Sequence, residues 1–459
     1  MRAADAAAAP AERSGGNGKI PGMRSSIVGP AAMFWGLAVF APVGVNYLAA
    51  TLLLVALLAA GGVRERAARL RASPLWWPIV AYVGWTLVVF AIGPHYPQTP
   101  SNLWHGMRIA LTMLMALSLD RDEAIRVVRG FFVAALASLA IVLLYRTVGF
   151  PLWTLWRATL EVEGNKSINN ALLFTLFGAT AAVAGLAQFG ERGAHRPGRA
   201  LAAFALMALA GLVITAWLTS RTSLLALLVA VPAACVHQWR RQLRTLAVAL
   251  AIGGAVAAVA LWQSPQVQQK VALGIQEIEA AQGGAVSEGS WVVRFYMYRD
   301  TARMMIDRPF AGWGIGGWTD QWHARGPALL ADYNMPHNDF LWMGAQAGVP
   351  GALTLLAILL VGLWQGWRRP DLAGRLGFVA MIAMAIATSV NSAMRDAQIG
   401  LGMLWMTFVY LRLAHEPGAP WDGLLPARWR RDGTANVAAG TVRARAQWPC
   451  ETDSPALSR

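Results

Sequence analysis

Along most of this chain, runs of roughly twenty apolar residues follow one another with only short polar breaks between them. About 20 residues is the length an α-helix needs to cross the hydrocarbon of a bilayer. No water reaches backbone N–H and C=O groups there, so a spanning segment must be a helix or a strand of a closed barrel. Barrel strands are about ten residues long and alternate apolar with polar positions. These runs do neither, and the expected fold is therefore all-α: a polytopic transmembrane helical bundle.

The chain is 56% hydrophobic and 14% charged over 459 residues, which suits many spans rather than one anchor. Twelve are expected, over 27–43, 46–62, 75–93, 103–119, 129–148, 168–189, 200–219, 221–237, 243–263, 347–366, 373–390 and 397–413. The fourth is the least apolar, since it contains His105 and Arg108. Between the ninth and tenth lies a long stretch of a different kind, residues 264–346, polar enough to form a large helical loop outside the membrane. Residues 1–26 and 414–459 are rich in Ala, Gly, Arg and Pro without apolar periodicity and read as disordered tails. The first apolar run leads straight into a second with no small-residue cleavage site between them, so a removable signal peptide is not expected. No internal repeat is visible.

Basic residues accumulate in cytoplasmic loops, and that rule orients the bundle. With both termini inside, most of the 39 Lys and Arg fall in the inner segments, and acids nearly balance those outside. The formal charge of +15 is then a topology signal. It is scattered through short loops without interleaved aromatics, which argues against nucleic-acid binding. Both cysteines, Cys235 and Cys450, fall on the reducing inner side, so neither a disulfide nor a cysteine metal site is expected.

On the outer side three stretches stand out. In the first, Ser220 is placed to cap the helix opened by Arg221-Thr222-Ser223. The free N–H groups of that first turn make an anion site, and Arg221 adds a planar fork suited to phosphate; an arginine snorkelling to lipid headgroups is an equal reading. In the second, a helix is expected from a Ser290 cap to about Arg308, stopped by Pro309. Arg294 and Tyr298 share one face and Arg299 and Arg303 another, the latter pair read as solvated. In the third, His337 follows Pro336 at the start of a short helix running to about Gln346, where the helix dipole favours a neutral ring. A structural histidine and a general base are both open, and the company of Arg221 and Arg294 favours the base.

Gly312-Trp313-Gly314-Ile315-Gly316-Gly317 matches GxGxxG formally, but it follows a helix and a proline rather than a strand, so it reads as a flexible turn. No outer DxD pair or His/Cys cluster has metal-ligand spacing, and Asp120-Arg121-Asp122 is expected inside. A base and two arginines without a metal suit transfer from a diphosphate leaving group. Weaker candidates for substrate contact are Ser220, Asn338, Lys166 at the outer mouth of the sixth span and the intramembrane Arg108. Arg395-Asp396 reads as a local ion pair of little worth.

In these stretches, together with Gly312-Trp313-Gly314 and Ala347-Gly348-Val349-Pro350-Gly351, the chain resembles the O-antigen ligase and polymerase superfamily of bacterial inner-membrane proteins. The resemblance covers roughly residues 200–410 and lies in the order and spacing of the motifs. It implies a membrane-embedded, inverting glycosyltransferase of the C-type fold, needing no cofactor and no metal. The donor would be undecaprenyl-diphosphate-linked O-antigen. In the ligase branch the acceptor would be a sugar hydroxyl of lipid A-core, and transfer at the periplasmic face would complete lipopolysaccharide. By motif, Arg221 and Arg294 would hold the diphosphate and His337 would be the general base.

The polymerase branch, with another lipid-linked repeat as acceptor, stands next, and a protein oligosaccharyltransferase after it. Outside the enzymes, a lipid-linked glycan exporter would need a charged path at mid-bilayer, whereas the candidates here lie at outer helix ends. A non-catalytic scaffold would tolerate loss of His337.

Overall fold

The computed structural model describes residues 27–149, 167–189, 197–218 and 220–416, and these are helical throughout their regular parts. Lys166, the cysteine at position 450 and both tail segments fall outside the described residues, apart from the boundary positions 414–416. In chain order the helices are α1 Val28–Ala38, α2 Val43–Ala60, α3 Val63–Ala72, α4 Trp76–Ile92, α5 Thr99–Ser118, α6 Arg121–Val148 and α7 Ser167–Ala187. They continue with α8 Pro197–Leu218, α9 Arg221–Trp239, α10 Leu243–Trp262, α11 Pro265–Gln282, α12 Ser290–Asp307, α13 Gly317–Arg325, α14 Asp339–Arg368, α15 Leu372–Asn391 and α16 Ala397–His415.

Among the described residues nine helices are long and apolar enough to cross a membrane, or ten if α3 and α4, bent by 99° against each other, count as one broken span. Each of the twelve expected runs coincides with a helix, but three fall short of that standard. The 11 residues of α1 are too few, α4 has only 17, and α5 carries polar side chains along its length. Contacts distant in sequence hold α3 across the end of the bundle. The α3 sequence is strongly basic, and two of its arginines reach the next helices: Arg66 pairs with Glu123 at 2.6 Å and Arg69 donates to the Ser118 carbonyl at 2.6 Å.

With no hydrophobic gain from leaving lipid, membrane helices associate through close packing of small residues. The α1–α6 pair does so where Gly36 lies against the Val127 carbonyl and Gly130 against that of Met33, so a methyl at either position would strike the facing backbone. Around this contact sits the aromatic centre of the bundle: Trp35 stacked on Trp405 at 4.0 Å, and Phe40 between Phe131 and Phe174. α7, α14, α15 and α16 complete the interior, while no residue of α10 is buried.

The two ends differ in what their polar groups do. At one, arginines satisfy carbonyls at helix ends: Arg240 donates to Trp367, Arg412 to Leu119 and Arg369 to Ala414. At the other, α11, α12 and α13 form a helical cap whose own core contains Met297, Met304, Trp318 and Trp322. This cap docks on α14 where that helix breaks. Ala347 and Gly348 leave helical geometry, Gly348 taking φ +70°, and the freed groups bond the cap: Trp313 donates to the Ala345 carbonyl at 2.8 Å and Val349 to that of Pro309 at 2.7 Å. The glycine-rich stretch is thus a tight turn against α14, as its helix-and-proline context implied.

Candidate functional site

Ser220 does cap α9, its hydroxyl accepting from the Ser223 N–H at 3.3 Å. Arg221, the first helical residue, therefore projects from the end of α9 toward α12. Its guanidinium donates to the Ser290 hydroxyl at 3.3 Å and lies 5.7 Å from the Trp291 ring. One turn on, Arg294 donates to the Ser290 carbonyl at 3.0 Å. The two arginines, from helices far apart in sequence, thus meet on the first turn of α12. Gly289, not Ser290, is the N-cap of that helix, which leaves the Ser290 side chain free for Arg221. Burial pushes the Arg294 pKa down, and the Arg221 charge lowers it further while Tyr298 opposes.

Arg299 and Arg303 are solvated, as their helical face suggested, and both also approach one carboxylate. Asp300 sits within the same two turns and pairs with Arg299 at 2.7 Å and with Arg303 at 3.4 Å.

His337 lies just before α14, which begins at Asp339 with Asn338 as its cap, so the imidazole is outside the helix rather than in its first turn. It adopts φ +53°, unusual for a residue with a side chain. Such a conformation persists where neighbours fix it. Here the Tyr298 hydroxyl is shared between the carbonyls of His337 at 3.1 Å and Ser389 at 3.3 Å. Asn338 donates to the Ser389 carbonyl at 2.7 Å, and buried Asp339 accepts the N–H groups of Met394 at 2.8 Å and Arg395 at 3.1 Å. Desolvation drives the His337 pKa down to about 4, Arg294 and then Arg395 adding to the shift and Asn391 opposing it. Its Nδ1 is buried and has no hydrogen-bond partner among the described residues.

His337, Arg294 and Ser290 open into one cavity of about 620 Å³, closed on other sides by Tyr333, Asn391 and Asp396. Arg221 borders a second space of about 470 Å³, a groove between α9 and α11 lined by Leu224, Leu228, Val271 and Ile275, with Lys270 beside it. The Arg221–Ser290 contact is the seam between the two.

The remaining candidates lie elsewhere. Both polar atoms of Asn338 are used, one in capping Leu341 and one on Ser389. Arg108 is buried among helices and donates to the Tyr47 hydroxyl at 3.0 Å and to the carbonyls of Met394 and Arg395, pinning the turn after α15. Arg395 and Asp396 do not form the expected pair: Arg395 reaches Asn334 at 3.2 Å, and Asp396 caps α16 through the Ile399 N–H at 3.1 Å. Nothing in the sequence marked Asn391 or Asn169, which border the cavity, or Tyr298 as an anchor of His337, and Asp396 stood out only as a neighbour of Arg395. Among the described residues no three His, Cys, Asp or Glu side chains gather as a metal site.

No curated protein matches the chain. Residues 202–356, which contain Arg221, Arg294 and His337, match the family model described as O-Antigen ligase, so in this segment the chain is similar to that family.

Proposed function

We propose that this protein is an O-antigen ligase: a twelve-span enzyme of the bacterial inner membrane, with both termini cytoplasmic, that moves a glycan from undecaprenyl diphosphate to a sugar hydroxyl of lipid A-core on the periplasmic side. The observation that carries this reading is the single cavity lined by both His337 and Arg294, with Arg221 joined to its rim through Ser290. An apolar groove bordered by Arg221 and Lys270, beside a polar cavity that holds Arg294, also matches a substrate that is half isoprenoid and half sugar diphosphate.

In this reading the donor diphosphate lies against Arg221 and Arg294, whose charges stabilise the negative charge that grows on it as the anomeric C–O bond breaks. The neutral His337 accepts the proton of the acceptor hydroxyl as its oxygen bonds the anomeric carbon from the opposite face. Undecaprenyl diphosphate leaves, and the configuration at the anomeric carbon inverts. The arginines supply the electrostatic role, so no metal ion is required.

A deletion strain tests the assignment. Loss of the ligase leaves core without O-chain on a lipopolysaccharide gel while polymer accumulates on the undecaprenyl carrier. Core bearing a single repeat would make the protein a polymerase, and an unchanged ladder would make it an oligosaccharyltransferase or remove it from this chemistry.

A further inference from the structure

The cavity has two chemically different walls. Arg294, His337 and Ser290 form the first. The wall formed by the start of α7 and the turn joining α15 to α16 carries Asn169, Asn391, Gln398 and the carboxylate of Asp396, with Pro42 and Ile399 as apolar neighbours. An acidic and amide-lined surface repels a second anion, whereas a neutral polyhydroxyl compound finds donors and acceptors together there and an apolar edge for its ring.

Two buried atoms point to such a ligand. Asn169 is 1% exposed, yet its Oδ1 has no partner; Asn391 is 4% exposed, yet its Nδ2 has none. Buried polar atoms are nearly always satisfied, so the amides of Asn391 and Asn169, which both line the cavity, hold groups that the protein itself leaves unmatched, the Asn169 Oδ1 lying beside Gly402 of α16. Neither side chain is free to turn away, because Asn169 holds the Val39 carbonyl through Nδ2 at 3.4 Å and Asn391 adjoins the His337 ring.

We propose that Asn169, Asn391, Gln398 and Asp396 form a sugar-binding subsite that holds glycan hydroxyls next to His337. The assignment rests on the glycosyl-transfer reading above and adds to it the surface that grips the carbohydrate. The ring is either the one being transferred or the one whose hydroxyl attacks. Both offer the same chemistry to these amides.

The test uses full-length protein in lipid nanodiscs, with three probes: undecaprenyl diphosphate without sugar, the same lipid bearing one repeat unit, and the core acceptor. Asn169→Leu keeps the branched shape and removes the amide; Gln398→Met keeps the chain length and removes an amide from a different helix, so that a folding failure in one leaves the other. A subsite for the transferred sugar predicts roughly ten-fold weaker binding of the glycan-bearing lipid and unchanged binding of the sugar-free lipid, the scale of one lost hydrogen bond. A subsite for the acceptor predicts a similar rise in acceptor KM with donor binding unchanged. Equal weakening of the sugar-free lipid, or no change with any probe in either variant, overturns the subsite. Failure of the unsubstituted protein to bind the sugar-free lipid instead removes the functional reading, and the subsite with it.

Discussion

His337 has to be held still and kept neutral at once. Its left-handed backbone is fixed by the Tyr298 hydroxyl and by the capped start of α14, and its burial beside Arg294 disfavours the imidazolium. Replacing Tyr298 with Phe removes the hydroxyl shared by the His337 and Ser389 carbonyls. At about 1 kcal/mol for such a bond, transfer should slow by roughly five- to ten-fold with acceptor KM little changed, measurable in a reconstituted assay. The pH dependence has a definite sign. With the folded pKa lowered to about 4, the ring is neutral through the physiological range, so kcat/KM should stay flat as pH falls and decline only near pH 4. A bound diphosphate adds negative charge beside the ring and raises that pKa, so the acid limb of kcat should lie at higher pH than that of kcat/KM. A limb in kcat/KM near 6.5 would show that His337 is not buried as described.

At the scale of elements, the break in α14 decides where the cap sits. Gly348 combines φ +70° with a position against the carbonyls of Pro309 and Phe310, so a methyl there meets both a strained backbone and a steric block. Gly348→Ala should cost about 2–4 kcal/mol and lower the unfolding temperature seen by tryptophan fluorescence. A normal Tm would mean the cap is not docked on the break. Much at this level was legible from residue pattern: the lipid-length runs, the Ser220 cap, the α12 start within one residue and the turn nature of the glycine stretch. What escaped depended on partners distant in sequence or on side-chain direction. Asp300 lies three residues before Arg303, a spacing that puts both on one helix face, whereas its pairing with the adjacent Arg299 depended on side-chain direction. Arg395 and Asp396 are neighbours in the chain but point apart, because one reaches Asn334 and the other caps a helix. Asn169, Asn391 and Tyr298 are ordinary residues of their helices until three elements converge.

For the whole molecule, the site gathers at one end of the bundle while carbonyl-capping arginines mark the other. Under the proposed orientation the first end faces the periplasm. In intact cells, Ala285→Cys on the cap should react with an impermeant maleimide, and Arg71→Cys on α3 should react only after the membrane is opened. The reverse pattern would invert the bundle and place the cavity away from a periplasmic acceptor.

Glycosyl transfer by His337 and the paired arginines can be measured directly. Purified protein reconstituted with undecaprenyl-diphosphate-linked glycan and lipid A-core, without added metal, should form the glycosylated core. His337→Ala should form it at least about 100-fold more slowly while retaining donor binding and Tm, as removal of a general base requires. Transfer at the unsubstituted rate by a folded His337→Ala protein would contradict the account.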